Sequence, residues 1–267
     1  MRVDNGIRAM VRELVQYREL LWQLAWRDIQ VRYKQSIVGI GWAIFVPLMQ
    51  TLIFAVIQRA QIMSINTGNV PYVVFAYVGM VPWTFFQTSL THATTSLTQN
   101  RGLVTKIYFP REVFPLAKVL ASALDFAIAF VITFGLMLYY RMPLRATVVV
   151  VPILLAIEFL LTSGIGFFLA MGNLFYRDVQ HVVGVLLRMW MFATAVIYPI
   201  KVSRPRLQML INLNPMTPII NAFRDVVIAG RMPNAMELWP ATAMAVVLFA
   251  AGWTIFHRVE FTFADNV

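Results

Sequence analysis

Polar residues at Gln16, Glu19, Gln23, Arg27, Gln30 and Lys34 recur at spacings of three and four, which puts them on one face of an α-helix running from about residue 13 to 35. Leu14, Tyr17, Leu21, Leu24 and Ala25 fall opposite, and Trp22 and Trp26 stand toward the border. An indole at such a border keeps its N–H near water and its body in the acyl boundary, so the pattern predicts an amphipathic helix lying along a membrane surface. The same pattern would serve a helix packed on a soluble domain, but no such domain follows.

Beyond residue 36 the pattern changes to long apolar runs, each near the ~20 residues needed to cross about 30 Å of hydrocarbon. They predict spans at about 37–57, 72–91, 116–140, 146–172, 182–198 and 238–256. Six crossings leave both ends on the cytosolic side. The second run carries Tyr72, Phe75, Tyr77, Trp83, Phe85 and Phe86 with many hydroxyls, a poor helix to face lipid all round. Segment 94–115 reads as a cytoplasmic loop holding a short helix stopped by Pro110. Between the fifth and sixth runs, 199–240 holds apolar pieces too short to span, broken by Pro205, Pro215 and Pro218. It is expected to be either a re-entrant hairpin packed on protein or a stretch lying on the outer surface. The domain plan is a cytosolic segment and interface helix (1–36), a six-helix transmembrane domain (37–257) with a re-entrant part (199–236), and a cytosolic tail (258–267).

Composition agrees: 60% of the 267 residues are hydrophobic and 13% charged, with a mean hydropathy of +0.70. The fold class is therefore all-α, a polytopic membrane protein. A net charge of +10 fits cytoplasmic loops and anionic lipid better than nucleic acid in such a chain. More Lys and Arg fall in the inner than the outer segments. The outer ones, among them Lys201, Arg204, Arg206, Arg224 and Arg231, would face either an anionic substrate or lipid headgroups. Without cysteine, disulfides and thiolate metal sites are excluded. His92, His181 and His257 show no ligand pair at helical spacing, so no metal is expected. No cleavable signal peptide is seen.

Asp125, Glu158 and Arg188 fall inside predicted spans, where an unpaired charge costs at least about 2.5 kcal/mol. A structural pairing with Arg188 is the expected arrangement for the carboxylates. There is no phosphate-binding loop, no zinc-protease or nucleophile-elbow motif, and no carboxylate cluster in a loop. The chain itself is thus not expected to be an enzyme or to hold a cofactor.

The runs RDIQVRYKQSIVGIGWAIFVP, PYVVFAYVGMVPWTFF, NRGLVTKIYFPREVFPLA, FYRDVQH, LNPMTPIINAFRD and FTFAD, in that order, resemble the ABC-2 type permease subunits of polysaccharide exporters. That resemblance implies a transport subunit moving a lipid-linked polysaccharide across the bacterial inner membrane. It also implies a homodimer, two copies of a separate ATPase subunit that uses ATP and Mg, and contact with membrane lipid but not nucleic acid. An ABC-2 exporter of a drug or another lipid-linked molecule, and a membrane-integral transferase, are the alternatives. Carried over by position, ATPase coupling falls to Arg27, Arg32, Lys34, Asn100, Arg101, Lys106, Tyr108, Arg111, Arg177 and Asp178. The external gate falls to Arg206, Asn214, Pro215 and Arg224 within 199–230. Aromatic faces stack on sugar rings, so Trp42, Phe45, Tyr72, Trp83, Phe85, Phe86 and Tyr198 are channel-lining candidates.

Overall fold

The computed structural model describes residues 7–34, 38–62, 65–106, 109–199, 213–260 and 263, without the side chains of 7–9, 105 and 106. Every regular element among them is helical. Helices α1 (Ile7–Gln16) and α2 (Arg18–Lys34) meet at Tyr17, where the bonds Tyr17 N–H to Glu13 O and Leu21 N–H to Tyr17 O, both 3.0 Å, carry the ladder across. Leu24 and Ala25 are buried against Leu97, Val104 and Phe114, as their face predicts. Trp22 and Trp26 stay exposed, their rings stacked at 6.4 Å.

Among the described residues, five helical stretches are long and apolar enough to cross a membrane: α3 (Gly41–Arg59), α4 (Tyr72–Gln99), α6 (Val113–Tyr139), α7 (Val151–Phe175, with a 3-10 lead from Ala146) and α10 (Ala235–Val259). The chain is an all-α, multi-pass membrane protein. The short α5 (Arg101–Lys106) joins α4 to α6. Helix α4 is the hub, touching α3, α6, α7 and the later helix Met216–Arg224. It runs past the expected stop at residue 91 to Gln99, and the hydroxyls of Thr91 and Thr94 are satisfied within the helix by the carbonyls of Gln87 and Leu90, at 2.8 and 2.6 Å. Helices α7 and α10 approach closely through glycines: a Cβ at Gly164 would meet Phe249 N at 2.5 Å, and one at Gly252 would meet Gly164 O at 2.6 Å. By contrast α3 buries only Pro47 and Thr51.

The fifth expected span differs. Helix α8 (Val179–Phe192) has 14 residues and reaches only about 21 Å, after which 193–199 is non-helical. Helix α9 (Met216–Arg224) continues into a π-helical turn, Asp225–Ala229, closed by Gly230 at φ +67°. Residues 200–212, including Lys201, Arg204 and Arg206, lie outside the description. The bundle thus has a proximal end, carrying α2, α5 and the close of α10, and a distal end, carrying α9 and 193–199.

Candidate functional site

Arg32, near the end of α2, reaches into the bundle. It pairs with Asp125 of α6, and its Nη2 stands 3.0 Å from His92 Nδ1 of α4. The Tyr33 hydroxyl donates to the other Asp125 oxygen. Burial, then the Asp125 carboxylate, pushes the Tyr33 phenol well above its ordinary value, so it stays the donor. The expected pairing of Asp125 with Arg188 is thereby corrected. Arg188 lies on the exposed side of α8 and donates Nε to its own Gly184 carbonyl at 3.0 Å. Glu158 is completely buried, and neither of its oxygens has a hydrogen-bond partner among the described residues.

The Arg32–Asp125 pair closes one end of a cavity of about 200 Å³ shared by α2, α3, α4 and α6. Its other walls include Trp42, Val46, Val81, Phe85 and Phe126. Thr84 also lines it, with a buried hydroxyl that has no hydrogen-bond partner among the described residues. Trp42 stands edge-on to Phe45 at 5.4 Å. Of the seven aromatic channel candidates, Trp42 and Phe85 line this cavity and Phe45 lies on the exposed flank of α3. Trp83 and Phe86 are wholly buried within the chain, and Phe86 packs edge-on against Trp190 at 5.2 Å.

At the proximal surface, Arg27 donates to the Asn100 side chain at 2.9 Å. Its neighbour Asp28 pairs with Lys118 at 3.0 Å, so α2 is tied both to the α4–α5 corner and to α6. Lys34, Arg101, Arg177 and Asp178 are exposed at this end. The Lys106 side chain and Tyr108 lie outside the described residues. Two coupling candidates are turned inward. Arg32 serves Asp125, and Arg111 donates to the carbonyls of Val104, at 3.1 Å, and Glu260.

Sequence reasoning missed a buried cluster beside Arg111. His257 Nδ1 lies 2.8 Å from Glu112 and 3.4 Å from Glu260. The ligand atoms of the three residues all lie within 4.8 Å of one another, a set able to hold a cation. The signal was the H-x-x-E spacing of 257 and 260, one turn apart. Trp253 Nε1 also donates to Glu112, at 3.3 Å, and the Arg111 backbone N–H to Glu260, at 3.1 Å. Burial first, and then the Glu112 carboxylate, pushes Glu260 from 4.5 up to about 8. Since the folded value exceeds the unfolded one, this end is favoured most below about pH 4.5 and loses that advantage as pH rises through about 8. Unfolding midpoints of the wild type and Glu260→Gln should coincide near about pH 5, and the variant should become the more stable by about pH 8.

At the distal end, Asn214 and Arg224 account for the early close of α8. The Asn214 Nδ2 donates to Ala193 O at 3.3 Å and to Thr194 Oγ1 at 2.8 Å. Its Oδ1 accepts from Trp190 Nε1 and from Met216 N, both at 3.1 Å. Pro215 opens α9 as its N-cap. Arg224 is buried, donates to the carbonyls of Phe75, Ala195 and Val196, and lies 3.7 Å over the Phe75 ring. Tyr72, a channel candidate, braces this segment, its hydroxyl donating to Ile197 O at 3.0 Å. The Tyr198 hydroxyl donates to Phe192 O. Non-helical backbone is tolerated inside a bundle because these side chains take its carbonyls.

The model of the ABC-2 type transporter family matches residues 19–228. This chain belongs to that family. The ABC-2 chain is also 31% identical over 260 residues to the O-antigen export system permease protein RfbA of Myxococcus xanthus, covering 97% of this chain and 99% of that one. It is 27% identical over 248 residues to the protein of the same name from Klebsiella pneumoniae, covering 92% and 94%. Against the polysialic acid transport protein KpsM of Escherichia coli it is 23% identical over 243 residues, covering 88% and 91%. The ABC-2 membership makes the site a transport machine rather than an enzyme's active centre.

Proposed function

We propose that this ABC-2 chain is the permease subunit of an ATP-driven exporter that moves a lipid-linked, O-antigen-like polysaccharide from the cytosol across the inner membrane. The observation that carries the reading is end-to-end similarity to proteins named for O-antigen export and polysialic acid transport. A sugar polymer needs a continuous hydrogen-bonding route, since each hydroxyl costs about 1–3 kcal/mol to dehydrate without a partner. A homodimer offers such a route between its copies, and the largely uncovered flank of α3 is available for it. The proximal end faces the cytosol with both termini. There two copies of an ATPase subunit grip α2, α5 and the 176–178 turn, and they alone use ATP and Mg.

Movement of α5 would pass directly to α4 and α6, and through Arg27, Asp28 and Arg32 to the interface helix. The test is co-purification with the ATPase subunit encoded beside this chain. Lys34→Glu with Arg177→Glu should cut recovery of the ATPase by about tenfold or more, because like charges across an interface cost several kcal/mol, while membrane insertion is unchanged. Full recovery would remove these residues from the docking surface. Loss of the chain should leave a glycolipid on the cytosolic face; absence of that accumulation would overturn the polysaccharide reading.

A further inference from the structure

We propose that the cavity between α2, α3, α4 and α6 binds a single neutral hexopyranose ring, an inference that rests on the exporter reading and names where the glycan is first held. The walls are mostly apolar, and three of them, Trp42, Phe85 and Phe126, are aromatic. One end is polar, where Arg32, Tyr33, His92 and Asp125 converge. Thr84 also lines the cavity, and its hydroxyl, covered by the protein, has no hydrogen-bond partner among the described residues; rotation about its Cα–Cβ bond would bring it to a ring hydroxyl. A pyranose combines the matching surfaces: a C–H face that stacks on an aromatic ring and a rim of hydroxyls that both donate and accept.

Other occupants fit less well. An anion would meet the Asp125 carboxylate beside the guanidinium, and a cation would meet Arg32 itself. An alkyl chain would leave the polar lining of Arg32, Tyr33, His92 and Asp125 without a polar partner from the ligand. Access is also consistent with a lipid-tethered ring. One wall belongs to α3, whose Trp42, Phe45 and Val46 are exposed and which buries only two of its residues in the bundle. A sugar could reach the cavity past this helix while its lipid anchor remains among acyl chains.

Saturation-transfer NMR on the permease and its co-purifying ATPase in nanodiscs tests this, with methyl β-glucopyranoside, methyl β-glucuronide and n-hexanol as probes. Ring protons of the neutral glucoside should be saturated, and n-hexanol should not displace it. Trp42→Leu and Thr84→Val should each reduce the effect by about fivefold, with Trp42→Phe retaining most of it. Thr84→Val is nearly isosteric, so a folding defect at Trp42 leaves the test intact. Absence of ring saturation, a signal unchanged in both variants, displacement by hexanol, or stronger saturation of the glucuronide overturns the assignment. Glycolipid accumulation in cells lacking the chain is scored separately, so the cavity can fail while the exporter reading stands, and the reverse.

Discussion

Arg32→Ala and Asp125→Ala should each destabilise the protein by about 3–5 kcal/mol, because removing one member of a buried pair strands the other charge. The two side chains are 24% and 18% exposed, so the pair is largely sheltered from water. The double variant should lose clearly less than the sum of the two, since neither charge is then left alone. Denaturant unfolding in a fixed detergent checks this, and equal, additive losses would sink it. The functional consequence is larger than the energetic one. Arg32 and Tyr33 hold the end of the interface helix to mid-α6. Single variants that still fold should therefore export poorly, even where the ATPase remains bound.

The second large effect is expected at Gly79. A Cβ there would stand 2.5 Å from both Val196 O and Arg224 Nη2. One neighbour is a backbone carbonyl and the other a side chain with three carbonyl partners, so neither can give way cheaply. Overpacking of this kind costs about 1–3 kcal/mol or more, and Gly79→Ala should lower the unfolding midpoint and the yield of folded protein. Gly135→Ala is the matched control. It lies in α6 with nothing within 4 Å of the added carbon, so it should be neutral or slightly stabilising. Equal behaviour of the two variants would mean that α4 does not press against 193–199.

Much of this architecture was legible because membrane helices are written in long apolar runs, and the amphipathic face of α2 in a three-and-four spacing. The places that were not legible share one physical cause, a partner distant in sequence. Nothing within 182–198 says that the helix stops at Phe192; the stop depends on Asn214 and Arg224, which supply the donors its carbonyls need. Arg32 reads locally as a surface cation, and only the packing of α2 on α6 turns it toward Asp125. Arg111 likewise looks free in sequence, but the Glu260 carbonyl claims it. The buried environment of Glu158 was equally invisible: its position in the span was clear, but that neither carboxylate oxygen finds a hydrogen-bond partner among the described residues was not.

The backbone at 193–197 is held from outside itself, by donors from α4, from α9 and from the residue that leads into it. A helix comes apart one turn at a time, each lost bond exposing the next. This segment keeps only the bonds of Ala193 and Thr194 back to α8 and of Val196 N–H to Thr194 O, and Arg224 alone secures two of its carbonyls. When α9 shifts, the carbonyls of Ala195 and Val196 are released together while Tyr72 keeps that of Ile197, which gives this end of the bundle the character of a catch rather than a spring.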